Sequence, residues 1–278
     1  MKGNALTPSY AGMLVIGMLV ALLAGARDPS VASAVSGDAV TFPSAASGQG
    51  VTGVLHRPDG SGPFPAIVLL HHCAGIAPYH VDYAEWLTGL GYVTVLVDSF
   101  TPRHQSRVCG QPAAHPTPTE RAADAYGALF YLRSLPFVDG NRIGLVGWSH
   151  GGSSVLRTSS QSVRARLGIA GKVFRAGVAF YPGCRSLPDD PAIPLLILTG
   201  TADDWTPAAV CAPRVAALQQ TGRPVTLATF PGAFHSFDND RLGSRTVIAL
   251  GRYTLRYNAD ATKRAHEDLE DFLARYLR

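Results

Sequence analysis

The sequence predicts an α/β chain built on a doubly wound, mostly parallel sheet flanked by helices. Three observations carry that expectation. Residues 66–70 and 92–97 are short, continuous apolar runs, the pattern of strands buried on both faces. Residues 119–135 place apolar side chains at 122, 125, 126, 129 and 132, a helical repeat. From residue 66 onward strand-like and helix-like segments alternate, which favours parallel pairing through crossovers. With 278 residues, 46% hydrophobic and 16% charged, the chain can bury a large core, and no internal repeat divides it.

The elements are expected in the following order. Residues 11–24 form an uncharged apolar run behind Lys2, closed by small residues; Ala24-Gly25-Ala26 and Ala32-Ser33-Ala34 both fit a cleavage site. Residues 1–34 are therefore expected to be a secretory signal peptide cut after Ala26 or Ala34, with an uncleaved anchor as the rival reading. No Cys follows the run to carry a lipid. Residues 35–278 are expected to form one domain. Residues 27–50, rich in Ser, Ala and Gly, pass into a first weak strand. The strands at 66–70 and 92–97 follow, with residues 79–90 supplying a crossover helix. After the helix at 119–135 come a strand at 141–146, a helix after residue 149, and strands at 176–181 and 194–198. A helix around 207–220, a strand around 224–230 and a closing amphipathic helix with Ala265, Leu269, Phe272, Leu273, Tyr276 and Leu277 on one face complete the chain.

Charge and cysteine content narrow the classes. The net charge is +4, and loss of Lys2, Arg27 and Asp28 with the leader leaves 22 basic and 19 acidic residues, or +3. No basic run with interleaved aromatics stands out, so a nucleic-acid partner is not expected. The four Cys, at 73, 109, 184 and 211, all follow the leader. An even number in an exported chain favours disulfides. The pairings Cys73–Cys109 and Cys184–Cys211 are expected because each joins loops leaving neighbouring strands; four free thiols are the alternative. Their spacing suggests no zinc site, and no metal or cofactor is expected.

The chemistry centres on Gly147-Trp148-Ser149-His150-Gly151, between a buried strand and a helix start. G-x-S-x-G in that context is a nucleophile elbow: small flanking residues permit a strained turn that lifts the Ser oxygen above the sheet. A serine hydroxyl needs a base, and the base needs an acid to orient it. In elbow-type enzymes the chain order is Ser, acid, His. Of nine His, only His235 and His266 lie far enough beyond Ser149. His266 falls inside the closing helix, where packing is its expected role. His235 follows a strand, where active-site residues of open α/β sheets collect. The adjacent Asp203 and Asp204 are the candidate acids. Asp203 is preferred, and Asp204 is expected to help cap the next helix. The backbone N–H groups of His150 and Cys73 are the candidate oxyanion donors. Cys73 as nucleophile is a weaker alternative because it has no elbow. The His71 and His72 side chains are expected to pack around the oxyanion loop. His72, Trp148 and Arg103 are candidate substrate contacts; Arg103 lies with His104 and Arg107 in a long connection near the expected site.

Five segments, Leu70–Gly75, Asp98–Arg103, Gly147–Gly152, Asp203–Pro207 and Gly232–Asp238, together with Tyr257-Asn258-Ala259-Asp260-Ala261, resemble the dienelactone hydrolase family of the α/β-hydrolase superfamily. The resemblance covers residues 45–278. It implies an α/β-hydrolase fold, a triad at Ser149, Asp203 and His235, and cofactor-free hydrolysis of ester or lactone bonds. Founding members of that family use Cys as nucleophile where this chain has Ser. His71-His72 also replaces the commoner His-Gly.

Residues 182–192 are too few for a cap domain, so an open site for small or medium esters is expected. The competing readings are a prolyl-oligopeptidase-like peptidase and a noncatalytic binding module on a hydrolase scaffold. The expected partner is a small-molecule ester or lactone, with no stable membrane association once the leader is removed. Oligomeric state is left open.

Overall fold

A computed structural model describes Met1 and residues 37–278, apart from 112, 114 and 172. The expected leader lies outside the described residues. Residues Val35–Arg278 form one compact unit. Its frame is an eight-stranded sheet: β1 (Asp38–Pro43), β2 (Gly50–His56), β3 (Phe64–Leu70), β4 (Val93–Asp98), β5 (Val138–Trp148), β6 (Gly177–Phe180), β7 (Leu195–Gly200) and β8 (Val225–Phe230), in the spatial order β1-β2-β4-β3-β5-β6-β7-β8. From β4 through β8 every pairing is parallel. The expected α/β class is therefore found.

The start differs from expectation. β1 and β2 form an antiparallel hairpin, and β2 then pairs antiparallel with β4. β2 escaped reading because only alternate residues face the core: Val51, Gly53 and Leu55 are buried while Gly50, Thr52 and Val54 are not. That half-buried alternation lacks the continuous apolar run used to find the parallel strands.

Among the described residues six α-helices flank the sheet: α1 (Pro78–Gly89), α2 (Pro118–Ser134), α3 (His150–Thr158), α4 (Gln161–Arg166), α5 (Ala208–Gln220) and α6 (Ala259–Leu277). Alternate residues of β3 divide between two cores. Val68 and Leu70 pack with Leu129 of α2, Val155 of α3 and Val215 of α5. Ile67 and Leu69 pack with Leu87 of α1 and Leu269 of α6. α2 starts at a capping box, in which Thr117 and Glu120 satisfy each other's backbone N–H groups.

Both expected disulfides are formed, Cys73–Cys109 and Cys184–Cys211. The first ties the loop after β3 to the connection between β4 and α2. The second ties the short β6–β7 connection to α5. Between β8 and α6 lies an unforeseen antiparallel hairpin, β9 (Thr246–Ala249) with β10 (Tyr253–Arg256). No cap domain occurs among the described residues. None of their helices is long and apolar enough to cross a membrane.

Candidate active site

The carboxyl ends of β5, β7 and β8 bring three polar side chains together. Ser149 follows β5 directly at φ 53°, ψ −110°, a conformation that costs an L-residue of order 1–3 kcal/mol. Packing holds it there. Its N–H donates to the Phe180 carbonyl at 2.9 Å, and its carbonyl accepts from Ser153 at 2.8 Å. The glycines of the motif are required by space: a Cβ on Gly151 would run into the Leu70 carbonyl, so α3 could not approach β3.

The Ser149 hydroxyl lies 3.0 Å from His235 Nε2, and His235 Nδ1 lies 2.8 Å from Asp203 Oδ2. All three residues are buried. A carboxylate can only accept, so the proton between Asp203 and His235 sits on Nδ1, which leaves Nε2 to accept from the serine. Asp203 is held from its own loop as well. Oδ1 accepts from the N–H groups of Trp205 and Thr206, and Oδ2 accepts from the Thr206 hydroxyl at 2.9 Å. Burial pushes its carboxyl up, but the hydrogen bond and charge of His235 and the Thr206 donors outweigh burial and hold it below the ordinary carboxylate range.

Thr206 was missed by sequence reasoning. Its Oγ1 also lies 3.0 Å from the Tyr181 carbonyl and 3.1 Å from His235 Nδ1. Its place three residues after Asp203 is the pattern in which a carboxylate accepts from its own turn, and that spacing was the available signal. Asp204 departs from expectation. It does not cap α5 but accepts from the Thr254 N–H and hydroxyl of β10, at 2.9 and 2.8 Å. That strand runs alongside it, and Pro207 occupies the capping position.

A cavity of about 180 Å³ opens at Ser149, lined by Cys73, Val108, Cys109, Gly110, His150, Ser153, Gly183, Trp205 and Thr206. Cys73 and His150 thus border the space above the serine oxygen, and His150 begins α3, where free N–H groups and the helix dipole favour negative charge. The Cys73 sulfur is consumed in its disulfide, which removes it as a nucleophile. Trp205 stacks on Tyr253 of β10 with ring centroids 4.8 Å apart, joining the unforeseen hairpin to the cavity wall.

Two of the three expected substrate contacts are corrected. Trp148 is wholly buried and donates through Nε1 to Asp238 at 2.8 Å, beneath the elbow. Arg103 makes a two-pronged pair with Asp124, at 2.9 and 2.8 Å, and donates to the Ser99 carbonyl. Its fork is filled by Asp124 of α2 and by the Ser99 carbonyl after β4. His72 is half-buried: its Nδ1 accepts from the Ala74 N–H and its ring meets His80 edge-on. Burial, first, brings its imidazole down to about 4, so it is neutral at physiological pH. His266 packs as expected, stacked on Trp86 and bonded to the Tyr83 hydroxyl.

The model of the dienelactone hydrolase family matches residues 51–277. This chain belongs to that family. A Bradyrhizobium protein named as a 2-oxo-3-(5-oxofuran-2-ylidene)propanoate lactonase is 24% identical over 204 residues, 69% of this chain and 80% of that protein. A 105-residue stretch, 37% of the chain, is 31% identical to a protein of Grosmannia clavigera named as a dipeptidyl-aminopeptidase B, but spans only 10% of that relative. Among solved structures, a Klebsiella pneumoniae protein named as a dienelactone hydrolase superposes with a TM-score of 0.69 at 16% identity, covering 87% of this chain and all of that one. The acylaminoacyl peptidase of Pyrococcus horikoshii superposes at 0.64 with 17% identity, over 87% of this chain and 41% of the peptidase. At these identities the superpositions speak for the α/β-hydrolase fold. Dienelactone hydrolases and part of a larger peptidase share it with this chain.

Proposed function

We propose that this member of the dienelactone hydrolase family is an exported serine hydrolase that cleaves small or medium carboxylic esters or lactones through an acyl-enzyme. The observation that carries the reading is the continuous chain Ser149–His235–Asp203, with links of 3.0 and 2.8 Å. His235 Nε2 takes the serine proton as Oγ attacks the carbonyl carbon, and Asp203 stabilises the imidazolium that results. The Cys73 and His150 N–H groups receive the oxyanion. Collapse breaks the bond to the leaving alcohol, which takes the proton from His235. Water, activated by the same imidazole, then releases the acid and frees Ser149. Export is consistent with the expected leader and with two formed disulfides, which persist in oxidising compartments.

The cavity size and the short connection between β6 and β7 favour compact substrates over long acyl chains. A peptidase is the second reading, favoured by the peptidase matches in both sequence and fold. The test is hydrolysis of p-nitrophenyl esters from acetate to palmitate, a lactone set, and paired ester and amide substrates, with Ser149→Ala alongside. Short-chain ester or lactone turnover that disappears in Ser149→Ala is expected. Equal rates in both proteins would refute the nucleophile, and amide turnover matching the ester would favour the peptidase.

A further inference from the structure

The side chain of the residue after the nucleophile has a fixed chemical state that the triad does not require. His150 borders the cavity at Ser149. Its Nδ1 lies 2.9 Å from Nη1 of Arg121, a residue of α2 that is completely buried. A guanidinium can only donate, so Nδ1 must accept and the single ring proton must sit on Nε2. Among the described residues that Nε2 has no hydrogen-bond partner, yet it is not sealed in, unlike Nε2 of His71 and His80. It keeps some solvent exposure, on a residue that lines the cavity.

Arg121 is an expensive way to achieve this. Its Nε and Nη2 are buried without partners, and its guanidinium lies over the Phe100 ring at 5.2 Å. The nearby Asp124 is already gripped by Arg103, and Asp98 accepts from the Phe100 and Thr101 N–H groups. Burial brings the guanidinium down to about 9, so it remains charged at neutral pH. Burial, and then the Arg121 charge, bring the His150 imidazole down to about 3. The charged or titratable groups that face this pair are Asp124 from α2, Asp98 at the end of β4, Arg103 after it, His71 and His72 after β3, and His80 from α1. None of them restores a proton to Nδ1 while Arg121 donates there.

We propose that His150 is a specificity-determining residue: its Nε2–H, held in that tautomer by Arg121 as a positioning residue, donates to a hydrogen-bond acceptor that the substrate carries beside its scissile carbonyl. The inference rests on the reading of Ser149 as nucleophile. It assigns a substrate class, oxygen-substituted esters or lactones, over plain alkyl esters of the same size.

The test compares matched substrates on the intact, oxidised protein. p-Nitrophenyl methoxyacetate differs from the butyrate by an ether oxygen in place of one methylene; 2-methoxyethyl butyrate differs likewise from butyl butyrate and probes the alcohol side. Ratios of kcat/KM within a pair, corrected for alkaline hydrolysis, cancel any ionisation common to both substrates. In the wild type at least one pair should favour the oxygenated member, with a ratio flat from pH 5 to 8. His150→Phe should lower that ratio about three- to tenfold, the worth of one ordinary hydrogen bond, and His150→Gln, which keeps a donor near Nε2, should largely restore it. Arg121→Met should lower the ratio, because Nδ1 loses the donor that holds the ring proton on Nε2; Arg121→Lys, which keeps a donor, should recover it. Unchanged ratios for both pairs in His150→Phe would overturn the proposal, whether or not the Arg121 variants fold. Turnover of none of these esters by the wild type, or equal turnover by Ser149→Ala, would instead overturn the nucleophile assignment and the inference with it.

Discussion

At the residue scale, the account turns on how few atoms carry the chemistry. Ser149→Ala removes the oxygen proposed to attack and should reduce kcat about a thousandfold or more, with the fold retained. Thr206→Val tests a subtler contribution. It keeps the shape but removes the hydroxyl shared by Asp203, His235 and the Tyr181 carbonyl. We expect kcat/KM to fall about tenfold, a loss of roughly 1.4 kcal/mol, with KM little changed; steady-state kinetics beside a melting curve would check this. Unaltered kinetics would show that Asp203 alone orients the histidine. Ser149, Asp203 and His235 were legible because each follows a strand and because the chain order of an elbow enzyme leaves few candidates. Arg121 and Asp204 were not legible. Their partners, His150 and Thr254, come from distant segments, and nothing in spacing along the chain announces that approach.

At the scale of elements, two features shape the cavity. The Cys73–Cys109 disulfide borders it, whereas Cys184–Cys211 is not among its walls. Replacing either pair with Ser should cost about 2–4 kcal/mol of stability. Only loss of Cys73–Cys109 should also lower kcat per folded molecule, because the loop proposed to supply an oxyanion donor loses its tether. Equal specific activity in the two double variants would contradict this. The approach of α3 to β3 is equally exacting. Gly151→Ala puts a methyl group against the Leu70 and His71 carbonyls and should destabilise by about 3 kcal/mol or abolish folding, measured by urea unfolding. The parallel strands were readable from their apolar runs. The β9–β10 hairpin was not, since Thr246, Val247 and Ile248 are exposed and no apolar face marks it. Its β-branched run before Leu250-Gly251 was the available signal.

At the scale of the whole molecule, the sheet's carboxyl edge and the layer beneath it work as one unit. Below the elbow, Asp238 accepts from Trp148, Tyr83 and Tyr181, joining β5, α1 and the end of β6 under the His235 loop. Burial raises its carboxyl against those three donors. Five histidines, 71, 72, 80, 150 and 266, are pulled below their ordinary value near 6.5 first of all by burial, His72 to about 4 and His150 to about 3. The sign follows from proton counting. Below pH 6.5 the unfolded chain binds protons that the native state refuses, so stability falls as pH drops from 6.5 toward 4. The raised Asp238 and Asp268 oppose this, but as two groups against five. Melting temperature should decline on acidification from pH 7 to 4.5; a flat or rising profile would contradict the burial assigned to these rings. The fold class was legible at this scale because continuous apolar strands, helical spacing and alternation agree. The buried polar layer was not, because each member reads singly as an ordinary surface residue.

The most direct test of the central claim is rapid mixing of the wild type with a short p-nitrophenyl ester, followed by acid quench and intact-mass and peptide analysis. The account predicts a burst of nitrophenolate approaching one equivalent when deacylation is the slower step, with the acyl mass on the peptide containing Ser149 and none on Ser149→Ala. An acyl group on another residue, or turnover undiminished in Ser149→Ala, would contradict it.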